Sequence, residues 1–190
     1  MKSVIVAGAL ALAAAHVAVA QDSSALRLRL SLADAVEVGH RAPLIVLPYA
    51  IADSAGPASQ PFNLAKELGN VVVLVFYAPT ATTADDWRAI AAHLQSRLTQ
   101  GVVVAGVSSL RVADEVAFAH AIASPFKFLS DEGSTVARRY GAVTGRGSRG
   151  MTLVLVDRDG VVRRVEISFT PRAAKAFVGL DAAMAAALRR

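Results

Sequence analysis

The run Val71 to Tyr77 (VVVLVFY) contains no charged side chain, and Gly101 to Ser108 (GVVVAGVS) is almost as apolar. Short apolar runs bounded by turn residues, here Gly69-Asn70 and Pro79 around the first, predict strands covered on both faces. Between the two runs Trp87, Ile90, Ala91, Leu94 and Leu98 recur at intervals of three and four, the stripe of an amphipathic helix. Strand, helix and strand in that order predict a right-handed βαβ unit with a parallel pair.

The same pattern reading extends along the chain. Leu26-Arg27-Leu28-Arg29-Leu30 alternates apolar and basic residues as a half-buried or edge strand does, and Ile51 to Pro61 is a Ser-, Gly-, Ala- and Pro-rich loop. Phe62 to Leu68 reads as a short turn. Ala113 to Ala123 predicts a second helix stopped at Ser124-Pro125, and Glu132 to Tyr140 a short third one closed by Gly141. Thr152 to Val156 and Val161 to Ile167 flank Asp157-Arg158-Asp159-Gly160, whose Asp-Gly pair supplies the positive φ of a tight hairpin. Thr170-Pro171 reads as cap and first residue of a closing helix, with Phe177, Leu180, Met184 and Leu188 on one face. The order β, α, β, α, β, β, α is that of an α/β fold.

The first twenty residues have another logic. Lys2, the alanine-rich apolar stretch Val4 to Val19 and the small-residue triplet Ala18-Val19-Ala20 form a secretory signal pattern. The stretch is short of the roughly 20 apolar residues that span a bilayer, so cleavage with no stable membrane span is expected. Of 190 residues, removal of 20 leaves 170, enough for one domain and its core. The expected organisation is a signal peptide over 1–20, a leader over 21–35 and one domain over 36–190, with a periplasmic or secreted location.

Charge is uneven. Gln21 to Ala137 carries 8 basic and 11 acidic residues, whereas Arg138 to Arg190 carries 11 basic and 4 acidic. No aromatic residues are interleaved with the basic ones as a single-strand platform would need, so no nucleic-acid partner is expected. His40, His93 and His120 are scattered without ligand spacing, no Gly-x-Ser-x-Gly elbow occurs, and Gly145 to Gly150 fits no phosphate-loop fingerprint. No metal site and no cofactor are expected. There is also no cysteine in the chain, which excludes thiol chemistry and leaves stability to packing.

Pro79, Thr83 and Asp86 stand at the spacing Pro-x-x-x-Thr-x-x-Asp, just after the first apolar run. The segment resembles the active-site segment of the peroxiredoxins, the alkyl hydroperoxide reductase and thiol-specific antioxidant family, whose motif is Pro-x-x-x-Thr-x-x-Cys. Asp86 falls at the place of the peroxide-attacking cysteine. Val38-Gly39-His40-Arg41-Ala42-Pro43 is similar to the entry of redoxin domains, Phe126 to Asp131 resembles their Phe-x-x-Leu-Ser-Asp segment, and Thr152 to Gly160 their hairpin. The resemblance spans Val36 to Leu188. It implies a thioredoxin-like three-layer sandwich of peroxiredoxin type, with a central mixed sheet flanked by helices.

What the resemblance implies for activity is thiol-dependent reduction of peroxides, an antioxidant oxidoreductase role. Only a thiolate attacks the O–O bond in that way, and a carboxylate cannot take up two electrons as sulfur does. The expectation is therefore an exported pseudoenzyme, a non-catalytic binding or assembly protein whose vestigial site is Pro79, Thr83, Asp86 and Arg149, with Arg146 as the other candidate arginine. A thioredoxin-type alignment instead puts Ala81 and Ala84 at the redox positions, again without sulfur. Asp85 and Trp87 are candidate binding neighbours, Trp87 equally a core residue. Two readings of Asp86 stand side by side: partner of Thr83 in a Thr-x-x-Asp capping box, or an anion paired with an arginine. Expected partners are a second copy, an active redoxin in a hetero-assembly, or another envelope protein. The alternative is a sulfur-independent, metal-assisted enzyme using the same pocket.

Overall fold

The computed structural model describes residues 36–57, 60–80, 82–145 and 147–189. The signal segment, the leader with its Leu26 to Leu30 alternation, Ala81 and Arg146 lie outside the described residues. In chain order the elements are β1 (Val46–Leu47), β2 (Tyr49–Ile51), β3 (Ser54–Ala55), β4 (Phe62–Asn63), β5 (Val71–Phe76), α1 (Thr83–Leu94), β6 (Val102–Ser108), α2 (Val112–Ala121), β7 (Lys127–Ser130), α3 (Thr135–Arg139), β8 (Val143–Thr144), β9 (Gly147–Ser148), β10 (Thr152–Val156), β11 (Val162–Glu166) and α4 (Val178–Leu188). Seven of the described strands form one sheet in the order β11-β10-β5-β6-β7-β2-β3.

The sheet is mixed. β5, β6 and β7 run parallel, Val71 opposite Val102 and Val107 opposite Leu129, while β10, β11 and β2 join antiparallel. All six residues of β5 are buried because successive side chains go to opposite faces and both faces are covered. Val71, Val73 and Val75 pack with Trp87, Ile90 and Leu94 of α1, Ala119 of α2 and Leu180, Met184 and Ala187 of α4. Val72, Leu74 and Phe76 pack on the other face with Ile45, Phe62, Leu64, and Val136 and Ala137 of α3. Helices over a sheet over α3 and the antiparallel β1–β4 pair make the three layers, with the central mixed sheet that the resemblance implied.

One glycine is required by contact and not by its backbone angle. A Cβ on Gly106 in β6 would lie 2.7 Å from Trp87 Cζ2 and 2.8 Å from Phe128 Cδ1, so the strand passes directly beneath the indole.

Several boundaries differ from the sequence reading: the loop expected over Ile51 to Pro61 contains β3, the turn expected over Phe62 to Leu68 opens with β4, α2 runs Val112–Ala121, and three further differences have a clear physical cause. Leu98 lies in a 3-10 segment, Gln95–Gln100, that extends α1 to Gly101 at φ 76°. The third helix is shorter than Glu132 to Tyr140. Ser134 turns through the left-handed region at φ 50°, and the buried Asp131 carboxylate receives the Thr135 and Ala137 N–H groups from outside the helix. The closing helix starts at Val178 and not at Thr170-Pro171. Residues 171–177 form turns, with Phe169 and Pro171 buried and the Phe177 ring stacked on His93 at 4.0 Å, so tertiary packing overrides the local cap signal.

Candidate functional site

The loop from Tyr77 leads into α1 at the carboxyl ends of β5 and β6. Thr83, at the first position of α1, is 3% exposed and its hydroxyl is fully committed. It accepts from the Thr80 N–H at 2.7 Å, contacts the Thr80 hydroxyl at 2.8 Å and donates to the Ala78 carbonyl at 3.2 Å. With two lone pairs and one proton, the hydroxyl has nothing left for a ligand once the Thr80 hydroxyl donates to it. Thr83 is thus a latch on the loop that carries exposed Pro79.

The capping box does not form. Thr82 is the N-cap residue and makes no side-chain cap bond, which places Thr83 and Asp86 inside the helix where a reciprocal cap is geometrically unavailable. Asp86 instead accepts from Arg172 Nε at 2.8 Å. Its position in the first turn, next to Asp85, also suits the helix dipole. Arg149 is exposed and forms no ion pair among the described residues, whereas Arg172, just after buried Pro171, reaches Asp86 across 86 positions of chain. Asp85 turns outward to Arg88 at 2.7 Å. Trp87 is fully buried, edge-on to Phe128 at 4.8 Å and to Tyr77 at 5.4 Å, and belongs to the core.

The histidines are dispersed. His93 meets Asp181 at 2.9 Å, His120 faces Asp53 at 3.5 Å, and His40 faces Glu37 at 3.7 Å. Among the described residues, no three His, Cys, Asp or Glu side chains converge as metal ligands would.

An open space lies nearby, at the crevice outside the strand ends where open α/β sheets bind ligands. It is a cavity of about 210 Å³ lined by Phe76, Tyr77, Ala78, Val107, Ser108, Ser109, Ser134, Ala137, Ala142, Val143, Ser148 and Gly150. Phe76, Val107, Ala137 and Ala142 belong to the sheet face opposite α1 and Tyr77 to the α1 face, so the space opens at the strand ends, and Pro79, Thr83 and Asp86 are not among its lining residues.

Behind its wall sits Glu115 of α2, with no solvent exposure. Tyr77 donates its hydroxyl to Glu115 Oε2 at 2.6 Å, Ser108 donates to Oε1 at 2.6 Å, and the Leu110 N–H donates to Ser108 at 3.0 Å. Burial pushes the Glu115 carboxyl up to about 7, against the lowering effect of these hydroxyls. Burial, with the Glu115 carboxylate adding to it, also drives Tyr77 far above the usual phenol range. The sequence reading did not single out this triad or Arg172. The available signal for Glu115 was its spacing of four and seven from Ala119 and Ile122, a carboxylate on the apolar stripe of its helix.

Comparison with known proteins agrees with this architecture. Residues 38–165 match the AhpC/TSA family, and the chain belongs to it. AhpC of Enterococcus faecalis superposes with a TM-score of 0.66 at 17% identity, over 80% of this chain and 92% of its own. Peroxidoxin BcpB of Mycobacterium tuberculosis gives 0.64 at 23% identity, over 81% and 97%. A thiol:disulfide interchange protein, DsbE, of Chlorobium tepidum gives 0.64 at 21% identity, over 81% and 99%. At these identities the structures establish the thioredoxin-like fold. No curated protein matches the chain in sequence.

Proposed function

We propose that this chain is an exported, non-catalytic member of the redoxin family that keeps the scaffold for binding or assembly. The observation that carries the reading is the site itself. Asp86, which the motif spacing aligns with the cysteine, is already paired with Arg172 in a chain without cysteine, and the Thr83 hydroxyl is consumed within its own loop. Nothing in that arrangement can reduce a peroxide by the thiolate route of the family. The signal-type start supports export to the periplasm or beyond, and a second copy, an active redoxin or another envelope protein are the partners such a scaffold would meet.

The reading is tested by expressing the full chain with a C-terminal tag and purifying it from the envelope fraction. Mass spectrometry is expected to find the N-terminus at Gln21, and the protein is expected to consume no peroxide with a thiol reductant. A chain retained in the cytoplasm at full length would end the export claim, and thiol-dependent turnover would end the non-catalytic one.

A further inference from the structure

Three properties of the cavity at the ends of β5 and β6 limit what can occupy it. Its size, about 210 Å³, suits a small molecule such as a single substituted ring. Its walls combine apolar surface from Phe76, Val107 and Ala142 with the hydroxyls of Ser109, Ser134 and Ser148. Ser109 and Ser134 have no side-chain hydrogen-bond partner among the described residues, and Ser148 reaches only the Gly150 carbonyl at 3.5 Å. Hydroxyls can donate or accept, so they suit a polar but uncharged head group.

Charge is the third limit. Among the described residues, no Lys, Arg, His, Asp or Glu lines the space. The buried carboxylic groups behind it are already committed: both Glu115 oxygens to Tyr77 and Ser108, and both Asp131 side-chain oxygens to the Thr135 and Ala137 N–H groups. Among the described lining residues an anion would meet no cation and a cation no free carboxylate, and desolvating either without a partner is costly.

We propose that this cavity binds a small uncharged molecule that joins an apolar body to one or two hydroxyl or carbonyl groups. The inference rests on the binding role above and names its ligand class. Asp86 is not among the lining residues, so recognition does not depend on its carboxylate.

Three probes with one ring and different charge test this on the full-length protein: benzyl alcohol, benzoate and benzylammonium, followed by isothermal titration and by ligand-observed NMR at neutral pH. Benzyl alcohol is expected to bind saturably and at least about tenfold more tightly than either ion. Ser148→Trp and Ser109→Phe, both at exposed wall positions, are expected each to weaken it by about tenfold or more, with Ser148→Ala close to the parent. Circular dichroism checks that the filled variants keep their fold. Equal or tighter binding of an ion, no saturable binding of any probe, or binding undiminished in both filled variants would overturn the proposal. Thiol-dependent peroxide turnover would instead remove the non-catalytic reading and leave the titration standing, so the two failures are separable.

Discussion

Glu115 is buried without solvent contact and held at 2.6 Å by two hydroxyls, and its raised carboxyl gives the fold a defined pH response. Unfolded, it titrates near 4.5; folded, near 7. Between those values the folded chain holds a proton that the unfolded chain has lost, so stability falls as pH rises, by about 1.4 kcal/mol per pH unit and ~3 kcal/mol in all. The contribution is complete below the unfolded value and gone above the folded one. Urea unfolding of Glu115→Gln is expected to lack this slope between pH 4.5 and 7 relative to the parent; parallel profiles would contradict the assignment. At Gly106 the constraint is steric. Gly106→Ala forces a methyl to 2.7 Å from the Trp87 ring, and overpacking of that kind costs about 1–3 kcal/mol, readable as a lowered urea midpoint.

At the scale of elements, α1 is tied to the segment entering α4 at both of its ends, by Asp86–Arg172 and by His93–Asp181 with Phe177 stacked on the imidazole. The Asp86 pair is half open to solvent, so a double-mutant cycle with Asp86→Ala and Arg172→Ala is expected to give a coupling of about 1 kcal/mol or less. A cycle on Asp86 and Arg149 is expected to give none. The β10–β11 hairpin depends on a deeper contact. Asp157, 1% exposed, accepts from the Asp159 and Val161 N–H groups and from Arg163 at 2.6 Å. Burial opposes its charge, but these donors outweigh burial and hold the carboxyl below its usual range. Its stabilisation is therefore present at neutral pH and lost as pH falls through the folded value. Asp157→Ala is expected to cost about 2–3 kcal/mol at pH 7, measured by denaturant unfolding, and to lose that penalty in acid.

These elements also show where the chain was legible. β5 and β6 could be read directly because strands buried on both faces are apolar at every position, and the β10–β11 turn because Gly160 needs φ 80°. The choice between the two readings of Asp86 and the start of α4 lay beyond local signals for a shared reason: Thr83-x-x-Asp86 and Thr170-Pro171 are local, and partners 86 and 84 positions away in the chain, Arg172 for Asp86 and His93 for Phe177, decided the outcome. The cavity has residues from five separated stretches of chain, none with a spacing motif, so it became visible only when the sheet brought the strand ends together.

For the whole molecule, the family scaffold and the family chemistry separate. The sheet, its two covered faces and the loop into α1 all belong to the AhpC/TSA family, while the sulfur on which that family's peroxide reduction depends is absent from every position. The most direct measurement is steady-state consumption of hydrogen peroxide and cumene hydroperoxide by chelator-treated protein, with dithiothreitol or a thioredoxin system as reductant. The account predicts a rate equal to the protein-free background at every peroxide concentration. A saturable rate that depends on both protein and reductant would contradict it.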